Sequence, residues 1–217
     1  MIRRIFNKPL GEWLDGLKGE GDKSRPTVRV KQLEERDRFR MRKHFLSLDR
    51  DDRLLRFGTV LPDEQVIAYV DKINFERDTI YGVYNHVFKL VAVGHLAFAP
   101  KGQGDNDKSA EFGVSVLASA RGQGIGSKLF QRAAIHCRNA DVDTLYMQCL
   151  SSNQTMMHIA KKAGMEIHRE YGEADAYLRL PPPSPSTVMQ EALEEQFATI
   201  DYTFKATNRA AAKLFER

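Results

Sequence analysis

The stretch Glu111-Phe112-Gly113-Val114-Ser115-Val116, with Arg121-Gly122-Gln123-Gly124-Ile125-Gly126 beginning five residues after it, decides how this chain is read. The first six residues alternate as a strand does, so Glu111, Gly113 and Ser115 share one face. The second six open a long amphipathic pattern over 122–138, in which Leu129, Phe130, Ala133 and Ala134 line one side. Glycines let backbone approach a ligand closely, and a helix start presents unpaired N–H groups, so a pyrophosphate suits this turn. A P-loop would need Gly-Lys-Ser/Thr, but Gly126 is followed by Ser127-Lys128. A dinucleotide-binding turn would need G-x-G-x-x-G at the strand end, and the glycines here stand at 122, 124 and 126.

Working outward, β-branched and aromatic residues predict strands over 79–84 and 88–98, with Asn85-His86 as turn material. Further strands are predicted over 28–30, 110–117, 144–150, 165–169 and 175–180. Helices are predicted over 34–48, with Phe39 and Phe45 as buried candidates, after Pro62, and over 155–163. The charged run Leu48-Asp49-Arg50-Asp51-Asp52 reads as a connection, and residues 101–109 as a loop. These elements divide the chain into an N-terminal extension (1–26), one domain (27–180), a Pro-rich linker (181–186) and a C-terminal amphipathic helix (187–217). In that helix Met189, Leu193, Phe197, Ile200 and Phe204 form an apolar stripe, with Glu191, Glu194 and Glu195 off it. The stripe is expected to cover its own domain, to fold back near Asp201, or to meet a second chain; a homodimer contact through residues 187–217 is favoured.

Arg121, Gly124 and Gly126 occupy the fixed positions of the pattern R/Q-x-x-G-x-G/A. With the chain order over 28–180 and the run Ala163-Gly164-Met165 near its end, the chain resembles the GNAT superfamily of N-acetyltransferases. The resemblance implies an α/β fold, a mixed and mostly antiparallel sheet flanked by helices, with acetyl-CoA as cosubstrate. It implies that the amides of Val114 and Val116 pair with the pantetheine arm. The turn of Arg121, Gly122, Gln123, Gly124, Ile125, Gly126 and Ser127 would hold the pyrophosphate, and Asn153 would hydrogen-bond the arm. Asn153 also reads as an N-cap before Thr155-Met156, and the two roles are compatible.

Acyl transfer to an amine requires a neutral nucleophile, and Glu111 is the candidate base; Gly113 and Ser115 beside it would leave space for a substrate. The other reading of Glu111 is an edge-strand surface carboxylate. Many family members carry a tyrosine four residues before a Gly-Phe pair as general acid, and Ala160 stands there instead. Either the thiolate takes its proton from water or turnover is poor. Residues 153–164, 45–48 and 55–57 are similar to bacterial protein-lysine acetyltransferases of the Pat type, which also lack that tyrosine and use a glutamate. The implied acceptor is an amine, either a small molecule or a protein lysine. The competing reading is a catalytically weak acyl-CoA-binding sensor or interaction module.

The 217 residues are 42% hydrophobic and 29% charged, which fits a globular domain and excludes a disordered chain. No apolar run approaches the roughly 20 residues that span a bilayer, so no membrane partner is expected. Residues 1–43 hold thirteen Lys/Arg against seven Asp/Glu, yet no aromatic platform accompanies them, so no nucleic-acid partner is expected. Two cysteines, Cys137 and Cys149, do not make a disulfide framework, and a cytoplasmic location is expected. His136, Cys137 and His158 lack metal-ligand spacing, so no metal site is expected; Tyr146 is a possible late proton donor, with strand packing the stronger reading.

Overall fold

Strong β-formers in the middle of the chain build a seven-stranded sheet, and the helices between them pack on its two faces. The computed structural model describes residues 27–100 and 108–215, with side chains to 212; the predicted N-terminal extension lies outside the described residues. The strands are β1 (Lys31–Gln32), β2 (Thr79–Tyr84), β3 (Leu90–Phe98), β4 (Ser109–Val116), β5 (Thr144–Leu150), β6 (Glu166–Glu170) and β7 (Glu173–Arg179). Their order is β1-β2-β3-β4-β5-β7-β6, and only β4 and β5 run parallel. The fold is therefore the expected mixed, mostly antiparallel α/β architecture.

The helices are α1 (Arg38–Leu46), α2 (Arg50–Phe57), α3 (Asp63–Lys72), α4 (Ile125–Asn139), α5 (Gln154–Lys162) and α6 (Pro185–Phe215). Helices α1 and α2 pack on β3 and β4 from one face, whereas α4 packs on β2, β3 and β4 from the other. The pleat divides β4 accordingly: Phe112 meets Phe130 of α4 edge-on at 5.4 Å, while Glu111, Gly113 and Ser115 look toward α1 and α2.

Several expectations need correction. No strand forms over 28–30; pairing with β2 begins at Lys31. Residues 50–52 are not a connection but the first turn of α2. Asp49 caps that helix by accepting from the Asp52 amide at 2.8 Å, and Asp51 and Asp52 complement its positive end. Phe45 is fully buried, but Phe39 is 61% exposed, with Lys43 Nζ 4.4 Å from its ring centroid. The linker is shorter than expected, because Pro185 already occupies the first turn of α6, a position that suits proline.

Helix α6 docks on its own domain by its acidic edge together with Ala198 and Tyr202, which packs on Tyr84 and Phe88, and leaves its apolar stripe outward. Glu191 accepts from Arg132 at 2.9 Å, His136 at 2.7 Å and Asn139 at 2.6 Å, all on α4. Glu195 pairs with Lys31 at 2.5 Å, and farther along Lys205 donates to the Tyr84 carbonyl at 2.9 Å. The side chains of Met189, Leu193, Phe197, Ile200 and Phe204 stay 45–66% exposed.

Candidate active site

The site begins where two strands part. β4 and β5 pair only from Ser109↔Thr144 to Glu111↔Tyr146, after which both continue unpaired with each other. On its other edge β4 stays bonded to β3 as far as Val116. Leu117 donates to Val91 and Ser109 accepts from Ala99, so odd-numbered residues turn their backbone groups toward β3. By alternation, the amides of Val114 and Val116 point into the gap between β4 and β5. A chain of alternating amide and methylene groups finds hydrogen-bond partners along such an edge.

At the far end of the gap the backbone turns into α4. Gly122 (φ +76°) and Gly124 (φ +74°) both adopt the left-handed conformation, and a Cβ on either would touch nothing within 4 Å. The cradle is thus open, and its cost is purely conformational. Gly124 is the N-cap and has no side chain to offer. The first helical bond runs from Lys128 to Gly124 at 3.0 Å, leaving the amides of Ile125, Gly126 and Ser127 without a helical acceptor. Gly126 packs close to α5, where a Cβ would lie 3.2 Å from the Ile159 side chain. Gln123 is exposed at the tip of the turn. Arg121 ion-pairs with Asp52 of α2 and donates to the Val116 carbonyl at 3.2 Å, so its side chain ties the turn to β4 and α2. An uncovered turn with free amides at a helix start has the donors that a diphosphate would require.

Asn153 is buried and its Oδ1 accepts from the Met156 amide at 3.1 Å, which makes it the N-cap of α5. Ala160, where the resemblance implies a tyrosine, is 1% exposed and lies within the core.

Between the gap and α2 lies a pocket of about 270 Å³, bordered by Leu55, Arg56, Glu111, Gly113, Gln148 and Glu173 among others. Glu111 is exposed on its wall, open to solvent. Directly across the strand pair stands Tyr146, whose hydroxyl is made less acidic first by burial and then by the Glu111 carboxylate beside it. The space expected over Gly113 and Ser115 is not empty. Ser115 is buried and bonded to His44 Nε2 at 2.7 Å, and burial holds that imidazole neutral, its pKa lowered to about 4.

Over Gly113 lies the guanidinium of Arg56, which sequence reading did not place in the site. A Cβ on residue 113 would come within 2.7 Å of Arg56 Nη2 and 2.8 Å of its Cζ, so glycine is what admits the arginine. Arg56 Nη2 donates to the Tyr69 hydroxyl at 2.7 Å. Tyr69 lies 2.8 Å from His95 Nδ1, and His95 Nε2 lies 3.2 Å from Asp78 Oδ2. Burial depresses the pKa of His95, with the Arg56 charge adding to it, which favours a neutral ring. One tautomer then satisfies the whole chain: Nε2–H donates to Asp78, Nδ1 accepts from Tyr69, and Tyr69 accepts from Arg56. The signal for this assembly was weak in sequence, since its members are scattered over α2, α3, β3 and the turn before β2.

Comparison with known proteins agrees with this fold. The family model described as "Acetyltransferase (GNAT) family" matches residues 12–165, and the chain belongs to that family. Acetyl-CoA is accordingly its cosubstrate. The GNAT domain of S. lividans PAT superposes with a TM-score of 0.61 at 18% identity, covering 71% of this chain and 92% of that one. Spermidine N-acetyltransferase from Vibrio cholerae, in complex with CoA and spermine, gives 0.56 at 16% identity over 70% and 95% of the two chains. The yncA structure from Salmonella typhimurium, with its cofactor acetyl-CoA, gives 0.56 at 11% identity over 73% and 97%. No curated protein matches the chain in sequence.

Proposed function

We propose that this protein is an N-acetyltransferase that moves an acetyl group from acetyl-CoA to a primary amine held beside Glu111. The observation that carries the reading is the continuity of three parts: the open amide nest at Gly122–Ser127, the parted edge of β4, and a carboxylate at the other end of that edge. Amides of Gly122, Gln123, Gly124, Ile125, Gly126 and Ser127 hold the diphosphate. Those of Val114 and Val116 hold the pantetheine arm, with Asn153 adding a contact through its free amide nitrogen, and Arg121 fixes the turn. When bound, acetyl-CoA supplies the activated acyl group.

Glu111 accepts a proton from the acceptor ammonium, directly or through water, and so frees the nitrogen lone pair for attack on the acyl carbon. Tyr146 stays protonated at neutral pH and stands opposite Glu111, so it is placed to return a proton to the departing sulfur. The sensor reading differs in one respect: with Ala160 buried where relatives have a phenol, binding without turnover would leave Glu111 idle. Thiol release from acetyl-CoA over a panel of amines and lysine-containing peptides separates the two readings. Tight CoA binding with no release for any acceptor would sink the enzyme.

Two acceptor sizes present the same nitrogen to Glu111. A small amine must fit the pocket, whereas a protein lysine, which the Pat-type likeness implies, must reach it along the open face of β5, β7 and β6. The same proposal includes a location and an assembly. Two unpaired cysteines, one of them buried, suit the reducing cytoplasm. The outward stripe of α6 suits antiparallel pairing with α6 of a second copy, because identical stripes are self-complementary about a two-fold axis. Light scattering on the full chain and on Phe197→Glu checks this; a monomeric parent removes the homodimer.

A further inference from the structure

Arg56 makes one hydrogen bond, to Tyr69, and forms no ion pair among the described residues. Its Nε is enclosed with no partner, and the carboxylate at the end of its relay, Asp78, is already paired with Arg77 at 2.8 Å. Three rings, Phe57 at 5.2 Å, Tyr69 at 5.5 Å and Phe45 at 5.9 Å, surround the guanidinium carbon. Rings orient a cation but accept no strong hydrogen bond from it. A partly buried guanidinium without a counter-charge is unfavourable, so its retention at a pocket wall points to an anion that arrives with the ligand. The glycine at 113 and the Asp78–His95–Tyr69 relay hold that cation over β4, two residues from Glu111 on the same face.

We infer that the acceptor is a small amine that also carries a carboxylate, an amino acid in chemical class, with Arg56 as the group that binds the carboxylate. The inference rests on the acetyl-transfer reading of the same pocket. Glu111 and Glu173 receive the ammonium end and Arg56 the anionic end. A planar fork suits a carboxylate bidentately, which a lysine at 56 would not reproduce. The volume of about 270 Å³ lies at the small end for ligand pockets, which favours a compact acceptor over a peptide segment. Tyr69, His95 and Asp78 are positioning residues that act through Arg56.

The experiment compares the common amino acids with their own α-carboxamides, on the full chain. Two readouts are taken: thiol release from acetyl-CoA, and calorimetric binding of each acceptor to protein loaded with CoA. The expected result is a preference of at least tenfold in kcat/KM for some free acids over their amides, expressed mainly in KM. In Arg56→Met the ratio falls to near one, in Arg56→Lys it recovers only in part, and in Tyr69→Phe it drops while CoA affinity reports that the protein is folded. Amides that bind and react as well as the acids overturn the inference and leave the acetyltransferase reading standing. Preference for lysine peptides, with a ratio that Arg56→Met does not move, overturns it in favour of a protein acceptor. If no amine is acetylated, the enzymatic reading fails, and the calorimetric comparison of acids with amides still decides the role of Arg56.

Discussion

The two halves of the site are built from different materials. The proposed cofactor half consists of backbone: amides on one edge of β4 and at the first turn of α4, freed by two strands that part and by glycines at φ near +75°. The proposed acceptor half consists of side chains drawn from distant segments, with Arg56 laid over Gly113 and aimed through Tyr69 and His95 by Asp78. Backbone recognition is indifferent to most side chains and fits a ligand common to a large family. Side-chain recognition changes with each substitution, and so distinguishes acceptors. Substitutions in the acceptor half should therefore change rates and preferences with the nest intact, and substitutions in the nest should change affinity for every acceptor alike.

The largest effect belongs to Glu111. Glu111→Gln keeps shape and removes the base, so the acetylation rate near neutral pH should fall by about 10²–10⁴ while calorimetry finds CoA affinity nearly unchanged. A loss below about threefold would remove Glu111 from the mechanism. Next comes Gly124→Val. No atom lies within 4 Å of a Cβ there, so the structure meets no clash, only the strain of a β-branched residue at φ +74° and a methyl group at the mouth of the nest. If the free turn relaxes out of the left-handed region, re-forming it around the ligand costs about 1–3 kcal/mol, a loss in CoA affinity of about 5- to 150-fold. Gly124→Asn, which tolerates the left-handed region, should lose much less. Equal CoA binding by Gly124→Val and the parent would place the diphosphate elsewhere.

A smaller effect is expected at Tyr146. Removing its hydroxyl in Tyr146→Phe deprives the departing sulfur of one proton donor, but a thiolate leaves well without help. The expected fall in kcat is about tenfold or less, largest above neutral pH where solvent protons are scarce, with CoA affinity unmoved. A pH–rate profile with an unchanged alkaline limb would return Tyr146 to a packing role against Tyr177, whose ring lies 6.1 Å away.

What sequence reading recovered follows the same division. The strands over 79–84 and 144–150, the helix that follows the glycine turn and the positions of its glycines were legible because their signals are local: alternation, β-branching and a helix start. The nest was legible for the same reason. Arg56 was not, because nothing local marks a guanidinium whose seat is a glycine 57 positions away and whose support comes from α3 and β3. Helix α2 was missed because three acids near its start look like a break, whereas at an N-terminus they are a cap and its complement. The apolar stripe of α6 was legible and stays outward, but the edge by which the helix docks carried no sequence signal. Lys128, Arg132 and His136 on the outer face of α4 recruit the acidic edge instead.

That docking gives the smallest effect and tests whether the cofactor half is as independent of side chains as its backbone chemistry implies. Helix α4 carries the nest at its N-terminus, and Glu191 of α6 grips the same helix through Arg132, His136 and Asn139. Burial alone would raise the Glu191 pKa, but hydrogen bonds from His136 and Asn139 and the charge of Arg132 outweigh it and lower the pKa to about 2, from 4.5. A carboxylate depressed on folding contributes stability above its unfolded pKa, and that contribution is lost as pH falls through the folded value. For Glu191 the window runs from about pH 4.5 down to about pH 2. The residue is only half-buried, so solvent screening reduces the contribution to about 1–2 kcal/mol, or about 3–6 °C in Tm for a chain of this size. Glu191→Gln should therefore melt about 3–6 °C below the parent at pH 7, and the two melting curves should converge as pH falls toward 2. CoA affinity at pH 7 should drop no more than about twofold if the nest is self-sufficient. A tenfold drop would show that the backbone site depends on the ion network behind it, and would erase the division between the two halves.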